Sequence, residues 1–105
     1  MRVLVRFSIP TEFGNELIRS GKLGGHMQSI MSELKPECFY AFPSVTAGLR
    51  SGILVVNLQD ASEIAGVVER LSFAFHANVT ITPVMTAEDL EKAMGGFERI
   101  ISTYA

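Results

Sequence analysis

The chain has 105 residues, 48% of them hydrophobic and 19% charged, with a formal net charge of −2. That composition excludes a disordered polymer and suits one domain spanning 1–105 with a single core. Nine basic residues against eleven acidic ones, with no polybasic run, exclude the electrostatic footprint of a nucleic-acid binder or of an anionic-membrane binder.

No apolar stretch approaches the ~20 residues that span a bilayer. Residues 1–9 alternate as a strand does and do not resemble a secretory signal. Cys38 is the single cysteine, so an internal disulfide is impossible and a cytoplasmic location is expected. Cysteine–histidine spacing for zinc and carboxylate spacing for calcium are both missing, so neither a metal nor a cofactor is expected.

The hydrophobic period runs two, 3.6, two, two, 3.6 and two along the chain. Val3, Val5, Phe7 and Ile9 share one face of a first strand, with Leu4, Arg6 and Ser8 on the other. Pro10 ends it, since proline cannot donate to a ladder, and Thr11 is the expected N-cap. Residues 12–35 are helical by period, in two pieces jointed near Ser20–Gly24, because interior glycines weaken a helix by about 1 kcal/mol each. Pro36 stops the second piece.

A second strand is expected at Cys38–Phe42, a hairpin connection over Pro43–Gly48, and a third strand at about Leu49–Leu58. Asp60 and Glu63 have capping-box spacing ahead of an Ile64, Val67, Val68, Leu71, Phe75 helical stripe. Asn78 is the expected terminator, and a fourth strand follows at about Val79–Val84. Thr86 to Asp89 reads as another cap, opening an amphipathic helical extension over about 86–105 that is expected to pack on something. Met27, Met31, Met85 and Met94 read as gap-filling core.

A βαββαβ order with right-handed crossovers puts both helices on one face of an antiparallel sheet. The helix-facing set is expected to be Val3, Val5, Phe7, Phe39, Ala41, Val79 and Ile81. The open face then holds Leu4, Arg6, Ser8, Cys38, Tyr40, Phe42, Thr80 and Thr82. The third strand adds either Ile53, Val55 and Asn57 or Leu54 and Val56 to it; the first set is preferred because Asn57 then joins the polar residues. Such an apolar patch marks an interaction surface, and packing on its own copy is the two-fold symmetric answer.

With this element order, and with Thr82–Pro83–Val84–Met85–Thr86 running into Ala87–Glu88–Asp89–Leu90, the chain resembles the dimeric α/β-barrel group of ferredoxin-like proteins. That group includes muconolactone isomerases, cofactor-free quinone-forming monooxygenases, haem-degrading monooxygenases and many short bacterial proteins, which this chain resembles most. The resemblance implies an α+β, ferredoxin-like βαββαβ fold with a C-terminal helix, assembled as a homodimeric barrel.

Arg6 interrupts an apolar strand and should point at the open face, where a guanidinium needs a partner subunit's carboxylate or an anionic ligand. Ser8, Tyr40, Asn57, Thr80 and Thr82 would line the same cavity or bond across the dimer. His76 is a candidate base or haem ligand, or a favourable cation at a helix C-terminus; His26 reads as a boundary residue. The haem-degrading relatives combine asparagine, tryptophan and histidine, whereas this chain has no tryptophan and offers Arg6 on its first strand. Cys38 lacks a neighbouring base and reads as an inert thiol. The expected function is a small-ligand-binding or assembly module. The alternative is a cofactor-independent isomerase or monooxygenase acting on a small hydrophobic or aromatic acid, with Tyr40 as proton donor or orienter.

Overall fold

The computed structural model describes residues 1–42 and 48–105. In chain order its elements are β1 (Arg2–Ile9), α1 (Thr11–Arg19), α2 (Lys22–Leu34), β2 (Cys38–Phe42), β3 (Arg50–Asn57), α3 (Glu63–Phe75), β4 (Asn78–Pro83), α4 (Ala87–Met94) and α5 (Phe97–Tyr104). The strands form one antiparallel sheet in the order β2-β3-β1-β4, so the α+β, ferredoxin-like architecture expected from the hydrophobic periods is the one the chain adopts. The expected hairpin at 43–47 lies outside the described residues; Gly48 beyond it takes φ 69°, a left-handed value that glycine adopts without a steric penalty.

Alternation along β1 does what its period implies. Val3, Val5, Phe7 and Ile9 are at most 4% exposed, and Leu54 and Val56 of β3 are buried beside them. Ile53, Val55 and Asn57 therefore take the open face, the register preferred because Asn57 is polar. Phe39, Val79 and Ile81 are half-buried against the core, while Ala41, near the free edge of β2, is exposed.

The centre of the core is aromatic. Phe75 is fully buried and stacks on Phe7 with ring centroids 5.9 Å apart, and Phe7 in turn lies 6.3 Å from Phe39. Gly52 makes room for this stack: a Cβ there would sit 2.7 Å from the Phe7 ring and 3.2 Å from the Tyr40 carbonyl. A glycine inside a strand marks such a close approach.

Helix ends show where local sequence cues were overridden. Helix α1 starts one residue earlier than expected. Pro10, with its φ fixed near the helical value, is the N-cap, and Thr11 is already helical and caps nothing. The joint between α1 and α2 is Gly21 at φ 75°. Glu63 accepts from the backbone N–H of Asp60 at 2.9 Å, but the Asp60 carboxylate turns to the hydroxyl and N–H of Ser62, so only half of the expected box forms. Those two bonds from Ser62, the hydroxyl first, hold the Asp60 carboxyl below its ordinary range. Helix α3 ends at His76, not Asn78: His76 adopts φ 52° and its N–H donates to the Ser72 carbonyl. Its ring lies flat on Phe13, centroids 3.6 Å apart at 8°, and that stack offsets the cost of a left-handed residue with a Cβ.

Thr86 and Asp89 form the full reciprocal box, each side chain accepting the other's backbone N–H at 3.0 Å. The Thr86 N–H, followed by its hydroxyl, holds the Asp89 carboxyl low. Beyond this cap every residue from Ala87 to Ala105 is exposed. The extension does not fold back on the core; it projects as an arm. The radius of gyration is 17.4 Å and the long axis 60 Å, against ~13 Å for a compact domain of about 100 residues. Met85 and Met94, expected in the core, are 66% and 56% exposed for this reason.

Candidate functional site

Strand register sorts the open face into rows. Tyr40, Ile53, Arg6 and Thr80 are successive cross-strand neighbours in one row. Phe42, Ser51, Ser8 and Asn78 form the next, toward the 43–47 connection, and Cys38, Val55, Leu4 and Thr82 the one on the other side. Side chains in adjacent rows of one face stand two residues apart along each strand.

Arg6, Ser8 and Thr80 come together, with Phe42, Leu49, Ser51 and Asn78, around a depression of about 190 Å³. The Arg6 guanidinium carbon lies 6.0 Å from the Phe42 ring centroid, in cation–π range. Among the described residues Arg6 makes neither an ion pair nor a hydrogen bond. The other arginine of this face, Arg2, is already committed to Glu37 at 2.8 Å. Among the described residues Arg6 is thus an unpaired cation beside Ile53, Thr80 and the Phe42 ring.

The remaining candidates spread outward. Tyr40 sits in the Arg6 row but beyond Ile53, 64% exposed at the sheet edge. Thr82 is one row away, opposite Leu4. Asn57 is opposite Arg2, two rows from Arg6, and its carboxamide oxygen accepts from the chain's terminal ammonium at 3.1 Å. Cys38 is half-buried. His76 is occupied as the cap of α3 and by its stack on Phe13, and His26 presents its ring edge-on to Phe75 at 6.3 Å. No three His, Cys, Asp or Glu side chains converge among the described residues.

A second depression lies on the helix side, between α2 and the β2 edge. It measures about 240 Å³ and is walled by Phe7, Ile9, Leu23, Met27, Phe39 and Ala41, with Arg50 and Ser51 at its rim. Arg50 donates to the Asn15 side-chain oxygen at 2.8 Å and its guanidinium lies over Gly14. The hydrophobic pattern of the sequence does not predict this hollow. Its sequence signals are Gly14 and Gly52, two small residues inside otherwise regular elements, which let Arg50 and Phe7 come close to the backbone.

Comparison with known proteins bears on the fold alone. No family model and no curated protein sequence matches the chain. Among solved structures, it is similar to a 5-chloro-2-hydroxyhydroquinone dehydrochlorinase from Burkholderia phenoliruptrix AC1100, in complex with 2,5-dihydroxybenzoquinone. The TM-score is 0.61 at 13% identity, over 84% of this chain and 97% of that one. A formyltetrahydrofolate deformylase from Pseudomonas putida KT2440 aligns at TM-score 0.49 and 17% identity, over 80% of this chain and 29% of that one. The first of these likenesses agrees with a ferredoxin-like sheet covered by helices on one side.

Proposed function

We propose that this chain is a small-ligand-binding module that works as a homodimer, two copies meeting through their open sheet faces as in a dimeric α/β barrel, with a small anion of apolar body held at Arg6. The observation that carries the reading is the Arg6 guanidinium, unpaired among the described residues, beside Ser8, Thr80 and the Phe42 ring on the open face. A cation enclosed by a second sheet requires a negative partner; among the described residues the four strands carry no carboxylate, and Glu37 beside them is held by Arg2.

Size supports the same reading. A depression of about 190 Å³ lies below the ~300–1,000 Å³ of drug-sized ligand pockets, which suits a small anion and not a large ligand. Ser8 and Thr80 offer hydroxyls to a bound carboxylate, and Phe42 offers a ring to its body. Binding is favoured over turnover because Tyr40 has no hydrogen-bonding acid or base beside it among the described residues.

Thermal shift with benzoate and hexanoate tests this. A ligand raises the melting temperature only by binding the native state. The expected result is a rise of several degrees in wild type that is lost in Arg6→Ala. Equal shifts in the two proteins would remove Arg6 from the site, and no shift with either acid would remove the carboxylate.

A further inference from the structure

The hollow on the helix side of the sheet is apolar on its walls and cationic at its rim. Its walls come from Phe7 of β1, Leu23 and Met27 of α2, and Phe39 and Ala41 of β2, with Arg50 of β3 at the mouth. Leu23, Met27 and Phe39 pack against the core yet are only half-buried, so each keeps apolar surface beside the hollow. Its volume of about 240 Å³ exceeds the ~150 Å³ of an apolar cavity that stays dry and takes a benzene ring.

Arg50 supplies the polar end. It is half-buried, and its guanidinium donates to the Asn15 side-chain oxygen at 2.8 Å and to the Thr11 carbonyl at 3.4 Å. Both acceptors are neutral. The ion pairs among the described residues join Arg2 to Glu37, Arg19 to Glu16 and Arg70 to Glu33, so none of them neutralises Arg50. The guanidinium fork has donors to spare beyond these two bonds, in a geometry that matches a carboxylate. Gly14 permits the placement, since a Cβ there would lie 2.6 Å from Nη1 of Arg50.

We infer that this hollow is a second binding site, on the opposite side of the sheet from Arg6, and that it takes a monocarboxylate with an apolar body. The body lies against Phe7, Phe39, Leu23 and Met27, and the carboxylate meets Arg50. A neutral apolar ligand would cover a half-buried cation without balancing its charge, which is costly. A polyanion would bring more charge than one arginine answers. Neither Arg6 nor a second copy contributes to this site.

Calorimetric titration of octanoate into the full chain carrying Arg6→Ala tests it, because that background removes the cation of the open face. The expected result is saturable binding, weakened at least about tenfold by Arg50→Gln and lost in Ala41→Trp. Ala41 is exposed on the edge strand β2, so a large side chain there fills the hollow without entering the core, and circular dichroism should show both variants folded. Octan-1-ol, with the same chain and no charge, should bind at least about tenfold more weakly than octanoate. Absence of saturable octanoate binding, or equal affinity in all three proteins, would overturn the site whether or not Arg6 holds an anion. Octan-1-ol binding as tightly as octanoate would overturn the pairing with Arg50.

Discussion

Phe75→Ala will lower stability by about 3–5 kcal/mol, the range for emptying a fully buried phenylalanine site. Phe75 is fully buried and touches both layers, stacked on Phe7 of β1 and meeting the edge of His26 from α2. Removing the ring leaves a void under the sheet that Phe7 cannot fill, because that ring is already held over Gly52. In a domain whose total stability is ~5–15 kcal/mol, this loss should bring the thermal midpoint down by roughly 15–30 °C. The internal control is Phe73→Ala in the same helix. Phe73 is 80% exposed, and its truncation should stay within about 0.5 kcal/mol. Equilibrium urea unfolding of the two variants measures both. Similar losses at the two positions would mean that the aromatic stack does not anchor α3.

Val55→Asp is expected to dissociate the proposed sheet-to-sheet dimer while leaving the subunit folded. Val55 lies mid-strand on the open face, between Leu4 and Cys38. In a lone subunit a carboxylate there reaches water. Between two sheets it is buried without a partner, at a cost of several kcal/mol per copy. The two-fold axis doubles the cost, so the dissociation constant should rise at least about a thousandfold, which corresponds to ~4 kcal/mol. Far-ultraviolet circular dichroism should be unchanged. A Val55→Asp protein that remains dimeric at low micromolar concentration would place the interface elsewhere.

Much of this architecture was legible because it rests on period. Two-residue alternation in β1 and the Ile64–Phe75 stripe of α3 assign their own faces, and together they fix which side of the sheet is covered. The polarity of Asn57 favoured the observed face of β3 over the alternative with Leu54 and Val56 outward. The helix ends were less legible, since several chemically reasonable caps stood within two or three residues of each other. Pro10 displaced Thr11 by its backbone alone, and His76 displaced Asn78 through a stack on Phe13, which is 63 positions away in the sequence and visible only after folding.

The candidate site was legible in part. Arg6, Ser8 and Thr80 could be placed together because cross-strand neighbours follow once the strand order is known. Asn57 faces the same way but stands two rows off, bonded to the terminal ammonium, a separation that depends on register along the strand. The helix-side hollow beside Arg50 was not legible, since a void is a property of how α2 rests on β2 and no residue pattern encodes it. The arm was readable as amphipathic, but an apolar stripe does not state whether its own core or another copy covers it.

The proposed assembly requires a second copy to cover the open sheet face. Light scattering of the wild-type chain across a dilution series from about 100 to 1 μM tests that most directly. A mass of twice one chain is expected throughout the series. A folded protein with the mass of a single chain at 100 μM would contradict it.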